Sequence, residues 1–261
     1  MTHRNLNGSS ITFQQDCRLS FDEAQHRYTV DDTIEMRSVT KVISQFFKPF
    51  DAEYWSLKKC HGDQLAAAKL REQWDAKGAV ATGAGTFMHK QIENYLSKQL
   101  SPSLVCPIEY KGQYHAESHL LSIQTEWKYF LSFDGDTTYH PFRTEWGIFD
   151  LDSHLAGTID LLCACEDGTY EIYDWKRSNK VDPSEKNRWS HGLNGLEHLT
   201  DTSYIHYCLQ QNLYRYILEK NYGLKISRMN LVVLHPDYTN YRIVSVPRMD
   251  KEVRIIMSRI S

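Results

Sequence analysis

The fold prediction for this chain starts from one stretch, Gly157-Thr158-Ile159-Asp160 … Tyr173-Asp174-Trp175-Lys176. Two apolar segments flank the turn Glu166-Asp167-Gly168, a pattern that predicts a β-hairpin with the glycine in the left-handed position. A loop of these three residues sets a register in which Asp160 lies opposite Asp174. Because side chains alternate along a strand, Asp174 and Lys176 are predicted to share one face.

Two ionised carboxylates in this arrangement are stable only with a positive charge between them. Directly opposed side chains have Cβ atoms about 4.5–5.5 Å apart, and bare carboxylates that close repel each other. A hard divalent cation with oxygen ligands fits such a position. The hairpin alone is equally compatible with an ordinary ion pair on neighbouring strands, so both interpretations stay open at this point.

Composition limits the class of protein. A chain of 261 residues with 41% hydrophobic and 24% charged residues is typical of a globular protein. We expect a single domain over residues 1–261, with the first fifteen residues flexible. The polar N-terminus and the lack of a long apolar run predict an intracellular protein that is neither secreted nor membrane-bound. The six cysteines form no C-x-x-C motif and are interpreted as reduced packing residues.

The formal net charge of −3 provides no overall attraction to nucleic acid, so a phosphate-backbone partner requires a local basic surface. One basic stretch follows the hairpin and consists of Lys176, Arg177, Lys180, Lys186 and Arg188. Another lies in a predicted helical region and consists of Lys58, Lys59, Lys69, Arg71 and Lys77. Either stretch is also compatible with an ordinary solvated surface.

Hydrophobic periodicity predicts a mixture of helices and strands, which indicates the α/β (α+β) class. Strands are predicted at 144–149, 155–165, 169–176, 229–234 and 241–246, after a small hairpin over 19–36. Helices are predicted after Ser38, within 51–77, and at 86–100, 113–133 and 202–222, with a short one at the end. Residues 78–85 are predicted as a glycine-rich loop and 177–200 as an irregular one. The glycine-rich loop lacks the Gly-Lys-Ser/Thr ending of a P-loop, so no nucleotide cofactor is expected.

Two polar pairs at helical i, i+4 spacing, His89 with Glu93 and Gln210 with Tyr214, would share a helix face. Each pair alone is explained as well by a surface or core-edge position. Combined with the hairpin they give an ordered series: Gly85-Thr86-x-x-His89-x-x-x-Glu93, Glu145, Gly157-x-x-Asp160, Asp174-x-Lys176 and Gln210-x-x-x-Tyr214. This series resembles the PD-(D/E)XK nuclease superfamily, in particular its RecB-like exonuclease branch. Two further segments are similar to stand-alone members of phages and other viruses: the opening Arg27-Tyr28 … Arg37-Ser38-Val39-Thr40 and the closing Tyr214-Arg215-Tyr216-Ile217-Leu218 … Leu234-His235-Pro236.

The resemblance implies a central mixed β-sheet flanked by helices, with a restriction-endonuclease-like core over about residues 80–247 and an N-terminal helical elaboration. It implies that His89, Asp160, Asp174 and the Trp175 backbone carbonyl bind metal, with Glu93 orienting a neighbour. Glu145 would be either a further metal ligand or a residue that supports the ligands. Lys176 would lie beside the attacking water, and Gln210 and Tyr214 would line the site. The catalytic set is then Asp160, Asp174, Lys176, Gln210 and Tyr214, and the predicted DNA-binding set is Arg177, Lys180, Lys186 and Arg188.

The resulting prediction is a metal-dependent DNA exonuclease that uses one or two Mg²⁺ or Mn²⁺ ions and acts on DNA ends in replication, recombination or repair. Its expected partners are DNA and a replication or recombination protein. The expected location is the cytoplasm of a bacterial host or another nucleic-acid-containing compartment. No cysteine follows Cys208, so the iron–sulfur cluster of some RecB-like nucleases is not expected. A structure-specific endonuclease and a catalytically inactive DNA-binding or assembly module remain as alternatives, and strand polarity and oligomeric state are left open.

Overall fold

The computed structural model describes residues 5–23, 25, 27–99, 101–185, 187 and 189–260. Its strands are β1 (Leu19–Asp22), β2 (Arg27–Val30), β3 (Ile34–Ser38), β4 (Val105–Lys111), β5 (Ala116–Ser122), β6 (Pro141–Asp150), β7 (Leu155–Ala164), β8 (Tyr170–Lys176), β9 (Ile226–Val233) and β10 (Arg242–Ser245). Its α-helices are α1 (Val39–Ser44), α2 (Ala52–Lys59), α3 (Gln64–Leu96), α4 (Gln124–Asp136), α5 (Ser203–Asn221) and α6 (Asp250–Ile260).

The main sheet has the strand order β1-β2-β3-β7-β8-β9-β10, and β6 pairs with β7. The pairs β3–β7 and β8–β9 are parallel, whereas the other pairs of this sheet are antiparallel. Strands β4 and β5 form a separate antiparallel pair. The prediction of a mixed central sheet in an α+β fold is therefore confirmed.

Helices cover both faces of this sheet. Strand β9 shows the division, because Leu231 and Val233 belong to the core cluster that includes α1, α5 and α6. Val232, and Leu234 directly after the strand, belong instead to the cluster that includes α3 and α4. The sequence of a strand that is buried on both faces is a nearly continuous apolar run, which is the pattern of residues 229–234.

Residues 78–85 do not form the predicted loop. They lie inside α3, which runs unbroken for 33 residues. The glycines are poor helix formers, but Ala76, Ala84 and Met88 are fully or almost fully buried along this helix. Tertiary packing of one helix face therefore outweighs the local propensity of Gly78 and its neighbours.

The predicted helix over 113–133 is wrong in its first half. Ala116–Ser122 is strand β5, paired with β4, a strand that the sequence did not predict, and helix α4 begins at Gln124. The leucines of this stretch fit a helical pattern, yet Leu120 is 71% exposed in the structure. Strand preference here depends on the partner strand, which is a context that local periodicity cannot report.

Several local predictions are confirmed. Ser38 caps α1 by accepting a hydrogen bond from the Lys41 amide at 3.2 Å. Gly223 follows α5 with a φ of +67°, the left-handed conformation expected after a helix. The turn at Asp31 and Asp32 also has positive φ, although residues 19–36 form part of three strands instead of one hairpin.

The first fifteen residues, which the sequence predicts to be flexible, make defined contacts from Asn5 onward. The Leu6 amide donates to the Phe142 carbonyl at 2.8 Å. The Arg143 guanidinium, only 1% exposed, donates to Asn5 Oδ1 and to Asp16 Oδ1. This buried charge explains why the segment is held against β6. None of the described helices has both the length and the hydropathy needed to cross a bilayer.

Candidate metal and catalytic site

A change of partner along β7 creates the site. On one edge β7 pairs with β3 at Leu155 and Ala156, and with β8 only from Leu161 to Ala164. Residues 157–160 lie between these two ladders. The opening in the sheet gives neighbouring helices access to the strand, and Asp160 lies at its end.

The predicted hairpin register is confirmed. The β7–β8 ladder pairs Leu161 with Tyr173, so Asp160 and Asp174 follow as the next opposed positions. Gly168 occupies the turn with a φ of +77°. The two carboxylates nevertheless make different contacts. Asp160 Oδ2 accepts the Trp175 amide at 2.8 Å, whereas Asp174 Oδ1 accepts the Gln211 side-chain amide at 2.8 Å.

Three side chains from three elements converge on the Asp160 side of the hairpin. His89 from α3, Glu145 from β6 and Asp160 from β7 each present a ligand atom, and these atoms lie within 4.8 Å of one another. His89 is fixed by a 2.8 Å hydrogen bond between its Nε2 and the Trp175 carbonyl. Its Nδ1 lies 3.4 Å from Asp160 Oδ2. One imidazole and two carboxylates form a donor set that suits a divalent cation.

Two features of Glu145 indicate that its position is functional. Its backbone has a φ of +46°, although a non-glycine residue in this region costs about 1–3 kcal/mol. Its neighbours Thr144 and Trp146 pair with Leu161 and Ile159, which puts Glu145 opposite Asp160. Glu145 Oε1 is buried and has no hydrogen-bond partner within the described part of the chain. A buried carboxylate oxygen without a hydrogen-bond partner, beside two other ligands, fits a site that binds a cation.

The charges in this cluster perturb one another. Burial, the largest effect, and the neighbouring Asp160 raise the pKa of Glu145 to about 8. Burial alone would lower the pKa of His89, but Asp160 and Glu145 outweigh it and raise that pKa to about 9. Burial also opposes ionisation of Asp160, yet His89, Lys176 and the Trp175 amide hold its pKa below the ordinary value. The site therefore attracts positive charge.

Asp174 and Lys176 form an ion pair next to this cluster. Lys176 Nζ lies 2.6 Å from Asp174 Oδ2, and both side chains are largely buried, 14% and 3% exposed. Burial raises the pKa of Asp174 to about 6 despite the lysine. Burial acts to lower the pKa of Lys176, but Asp174 and Asp160 raise it on balance, which keeps the ammonium protonated. The predicted placement of both side chains on one face is confirmed.

Gln210 and Tyr214 on α5 close the site from the other side. The Gln210 amide donates to the Tyr214 hydroxyl at 2.9 Å, and its Oε1 lies 3.5 Å from Lys176 Nζ. Tyr214 also explains Gly157, because a Cβ at position 157 would lie 2.4 Å from Tyr214 Cε1. The glycine of the Gly-x-x-Asp motif is therefore required by the approach of the helix to β7.

Two residues of the site were not predicted from the sequence. Gln211 is fully buried and holds Asp174, while Tyr207 lies beneath the lysine, with Lys176 Nζ 4.5 Å from its ring centroid. Both lie on α5, and Tyr207 precedes Gln210 by three residues, so the helical spacing was a usable signal for it. Gln211 gave no such signal, because it lies next to Gln210 in sequence.

The remaining predicted site residues lie outside the cluster. Glu93 forms a 2.6 Å ion pair with Lys90 one turn beyond His89. Arg177 is 12% exposed, and its Nε donates to Glu126 Oε1 at 2.8 Å, so this group is already paired. Lys180 is exposed, and Lys186 and Arg188 lie outside the described residues.

Comparison with known proteins agrees with this geometry. Residues 37–252 match the family model of the PD-(D/E)XK nuclease superfamily. The chain belongs to this superfamily. Membership implies a nuclease that acts on DNA, and PD-(D/E)XK nucleases use divalent metals, for which the cluster of His89, Glu145 and Asp160 offers a site.

No curated protein matches the chain. Among solved structures, the crystal structure of SSO0001 matches with a TM-score of 0.34 and 11% sequence identity, over 85% of this chain and 73% of that one. A likeness this distant carries no information about the site of this PD-(D/E)XK nuclease.

Proposed function

We propose that this PD-(D/E)XK nuclease is a metal-dependent DNA exonuclease of the RecB-like branch, acting on DNA ends in replication, recombination or repair. One observation carries the catalytic part of the proposal. The ligand cluster His89–Glu145–Asp160, with its unpartnered buried oxygen, lies directly beside the Asp174–Lys176 ion pair. The order of motifs along the chain supports the exonuclease branch.

His89, Glu145 and Asp160 would hold the cation, with Asp174 and the Trp175 carbonyl completing the ligand set. Mixed imidazole and carboxylate donors suit Mg²⁺ or Mn²⁺, and the histidine shifts the preference toward Mn²⁺. When bound, such an ion lowers the pKa of a coordinated water and screens the negative phosphodiester. The positive backbone φ of Glu145 is consistent with a residue held in place for this purpose.

Lys176 would act as a fixed positive charge. Its ammonium is held by Asp174 and lies over the ring of Tyr207. Because it remains protonated in this environment, it would donate a hydrogen bond to the water or the phosphate and offset the charge that develops there. Gln210, braced by Tyr214, would keep the lysine in position.

Incubation of the purified protein with end-labelled linear DNA and Mg²⁺ or Mn²⁺ tests the proposal. We expect the wild type to shorten the DNA from its ends, and we expect Asp174→Ala and Lys176→Ala to abolish cleavage. Lys176→Ala should largely retain metal binding, because the lysine is not a ligand. Equal survival of the DNA with wild type and Asp174→Ala would reject the activity.

A covalently closed single-stranded circle serves as the matched substrate control. It offers no end, so an exonuclease leaves it intact while degrading the same strand after linearisation. Cutting of the circle at a comparable rate would replace the exonuclease assignment with an endonuclease. DNA binding without cleavage of either form across several metals would indicate an inactive binding module.

A further inference from the structure

A second surface of the molecule exposes aromatic rings and lysines together. Phe50, two residues before α2, and Tyr54 and Trp55 near the start of α2 are 68%, 53% and 41% exposed. The side chains of Lys58 and Lys59 at the end of α2, and of Trp74 on α3, adjoin them. We call these six residues the aromatic–lysine surface. Neighbouring exposed aromatic side chains are uncommon on a protein surface without a partner.

The charged and aromatic groups of this surface are arranged around one another. Lys58 Nζ lies 4.9 Å from the ring centroid of Trp55 and 5.6 Å from that of Tyr54. Lys59 Nζ lies 5.5 Å from the ring centroid of Trp74, which in turn packs edge-on against Phe50 at 5.8 Å. In the part of the chain that the structure describes, neither ammonium is paired with a carboxylate within 4.0 Å.

This combination matches the chemistry of single-stranded nucleic acid. Base faces stack on exposed aromatic rings, and nearby lysines neutralise the phosphates between the bases. A duplex hides its base faces and cannot use the rings in this way. A protein partner fits less well, because lysine is depleted in protein–protein interfaces. The occupant that these side chains favour is therefore an unpaired nucleic-acid strand, which the proposed nuclease function makes DNA.

Helix α3 connects the aromatic–lysine surface to the metal cluster. Trp74 and His89 lie on this one helix, about 22 Å apart along its axis and within about 60° of each other around it. Gly78, Thr82 and Gly85 precede His89 by eleven, seven and four residues, which places them on the same face. A Cβ at Gly78 or Gly85 would meet no atom of the described residues within 4 Å, so there is open space at both positions.

We propose that the aromatic–lysine surface binds the single-stranded part of a DNA substrate and that this strand follows α3 toward the cluster at His89. The inference rests on the proposed nuclease function for its substrate. It adds that the enzyme prefers single-stranded DNA, and it names the residues that bind this strand.

Binding in the absence of metal tests this without any cleavage. Fluorescence anisotropy of a labelled 20-residue oligo(dT) in EDTA would compare the wild type with a Tyr54→Ala/Trp55→Ala double variant. Loss of stacking on two rings should weaken binding at least about tenfold. Leu120→Ala removes an even more exposed apolar side chain elsewhere and should leave the affinity within about twofold. Circular dichroism melts should show that the variants fold alike.

Salt dependence tests the lysines separately. The Lys58→Gln/Lys59→Gln variant should bind oligo(dT) more weakly and show a shallower dependence of affinity on salt, by about one released counterion or more. Unchanged binding in both double variants, or equal losses for oligo(dT) and a duplex of the same length, would overturn the inference. Normal DNA binding with altered self-association in sedimentation would overturn it too, and would identify a protein interface.

The outcome is separable from that of the proposed function. Wild-type protein that binds oligo(dT) through these residues but cleaves no DNA with Mg²⁺ or Mn²⁺ would uphold the surface and reject the nuclease assignment. The opposite result is metal-dependent cleavage together with oligo(dT) binding that does not depend on Tyr54, Trp55, Lys58 and Lys59. It would uphold the nuclease assignment and reject the proposed binding surface.

Discussion

At the scale of single residues, the site depends on how Asp174 is held. Its Oδ1 accepts a hydrogen bond from Gln211, a fully buried side chain, and its Oδ2 contacts Lys176. A buried carboxylate that loses a donor bears the full cost of desolvation of that oxygen. Gln211 is therefore a positioning residue for Asp174.

We expect Gln211→Leu to lower the free energy of unfolding by about 1–3 kcal/mol in urea titrations with EDTA present. The matched control is Gln210→Leu, the adjacent residue, whose half-buried amide can be replaced by water. Gln210→Leu should lower the free energy of unfolding by less, about 1 kcal/mol or below. A Gln211→Leu protein as stable as the wild type would contradict the proposed role of this hydrogen bond.

The ligand residues show what local sequence can predict. Asp160, Asp174 and Lys176 follow from the hairpin register, because strand alternation and a three-residue loop determine their relative positions. Glu145 lies opposite Asp160 through a left-handed backbone that no propensity indicates. Its contact with the cluster arises from tertiary structure, and the sequence could name it only through the resemblance to a family.

At the scale of elements, the approach of α5 to β7 fixes the width of the site. The Tyr214 ring occupies the space where a side chain at position 157 would lie. We expect Gly157→Ala to destabilise the protein by about 1–3 kcal/mol, since the extra methyl must displace the ring. Gly78→Ala is the control, because open space surrounds that position on α3, and it should stabilise by up to about 1 kcal/mol. Thermal or urea unfolding measures both, and equal effects would contradict the packing account.

Two elements are also joined by an ion pair whose carboxylate is buried and whose lysine is 33% exposed. Lys220 near the end of α5 donates to Asp150 at the end of β6 at 2.8 Å, and Asp150 is 1% exposed. Burial alone would raise the pKa of Asp150, but Lys220, Ser153 and Asn221 outweigh it and hold that pKa below the ordinary value. The ionised Asp150 carboxylate therefore contributes its full stabilisation when the pH is above the ordinary pKa of an aspartate. This contribution is lost as the pH falls through the lowered pKa of Asp150 in the folded protein.

We expect Lys220→Met to cost about 1–2 kcal/mol of unfolding free energy at pH 7, with Ser153 and Asn221 retaining part of the interaction. The difference from the wild type should shrink at pH 3 and below, because protonation of Asp150 weakens the ion pair that only the wild type has. Urea titrations at several pH values measure this. Lys251→Met, at an exposed position on α6, should change stability by less than about 0.5 kcal/mol at either pH. A pH-independent cost for Lys220→Met would contradict the assignment.

Element prediction failed where long-range packing decides the structure. The glycines at 78, 83 and 85 suggest a loop, yet burial of Ala76, Ala84 and Met88 keeps α3 helical through them. The leucines before α4 suggest a helix, but pairing with β4 makes that stretch a strand. Strands β6 to β9 were found because their apolar runs are strong and lie next to clear turn residues.

At the scale of the whole molecule, the account requires a helix, a strand and a hairpin to bring His89, Glu145 and Asp160 to one cation. The hydrogen bonds of His89 to Trp175 and of Asp160 to the same residue already orient two of these ligands without a metal. Metal binding by His89, Glu145 and Asp160 should therefore need little reorganisation, whereas Asp174 and the Trp175 carbonyl must exchange their present partners to join the ligand set. Losing one ligand should mainly weaken affinity.

Titration of the protein with Mn²⁺, with the free ion followed by electron paramagnetic resonance, tests this convergence most directly. We expect the wild type to bind one or two ions, and Glu145→Gln and Asp160→Asn to weaken binding by at least about tenfold. Glu93→Gln, one helical turn beyond His89 and paired with Lys90, should bind as the wild type does. Wild-type affinity in Glu145→Gln and Asp160→Asn alike would show that the cation lies elsewhere.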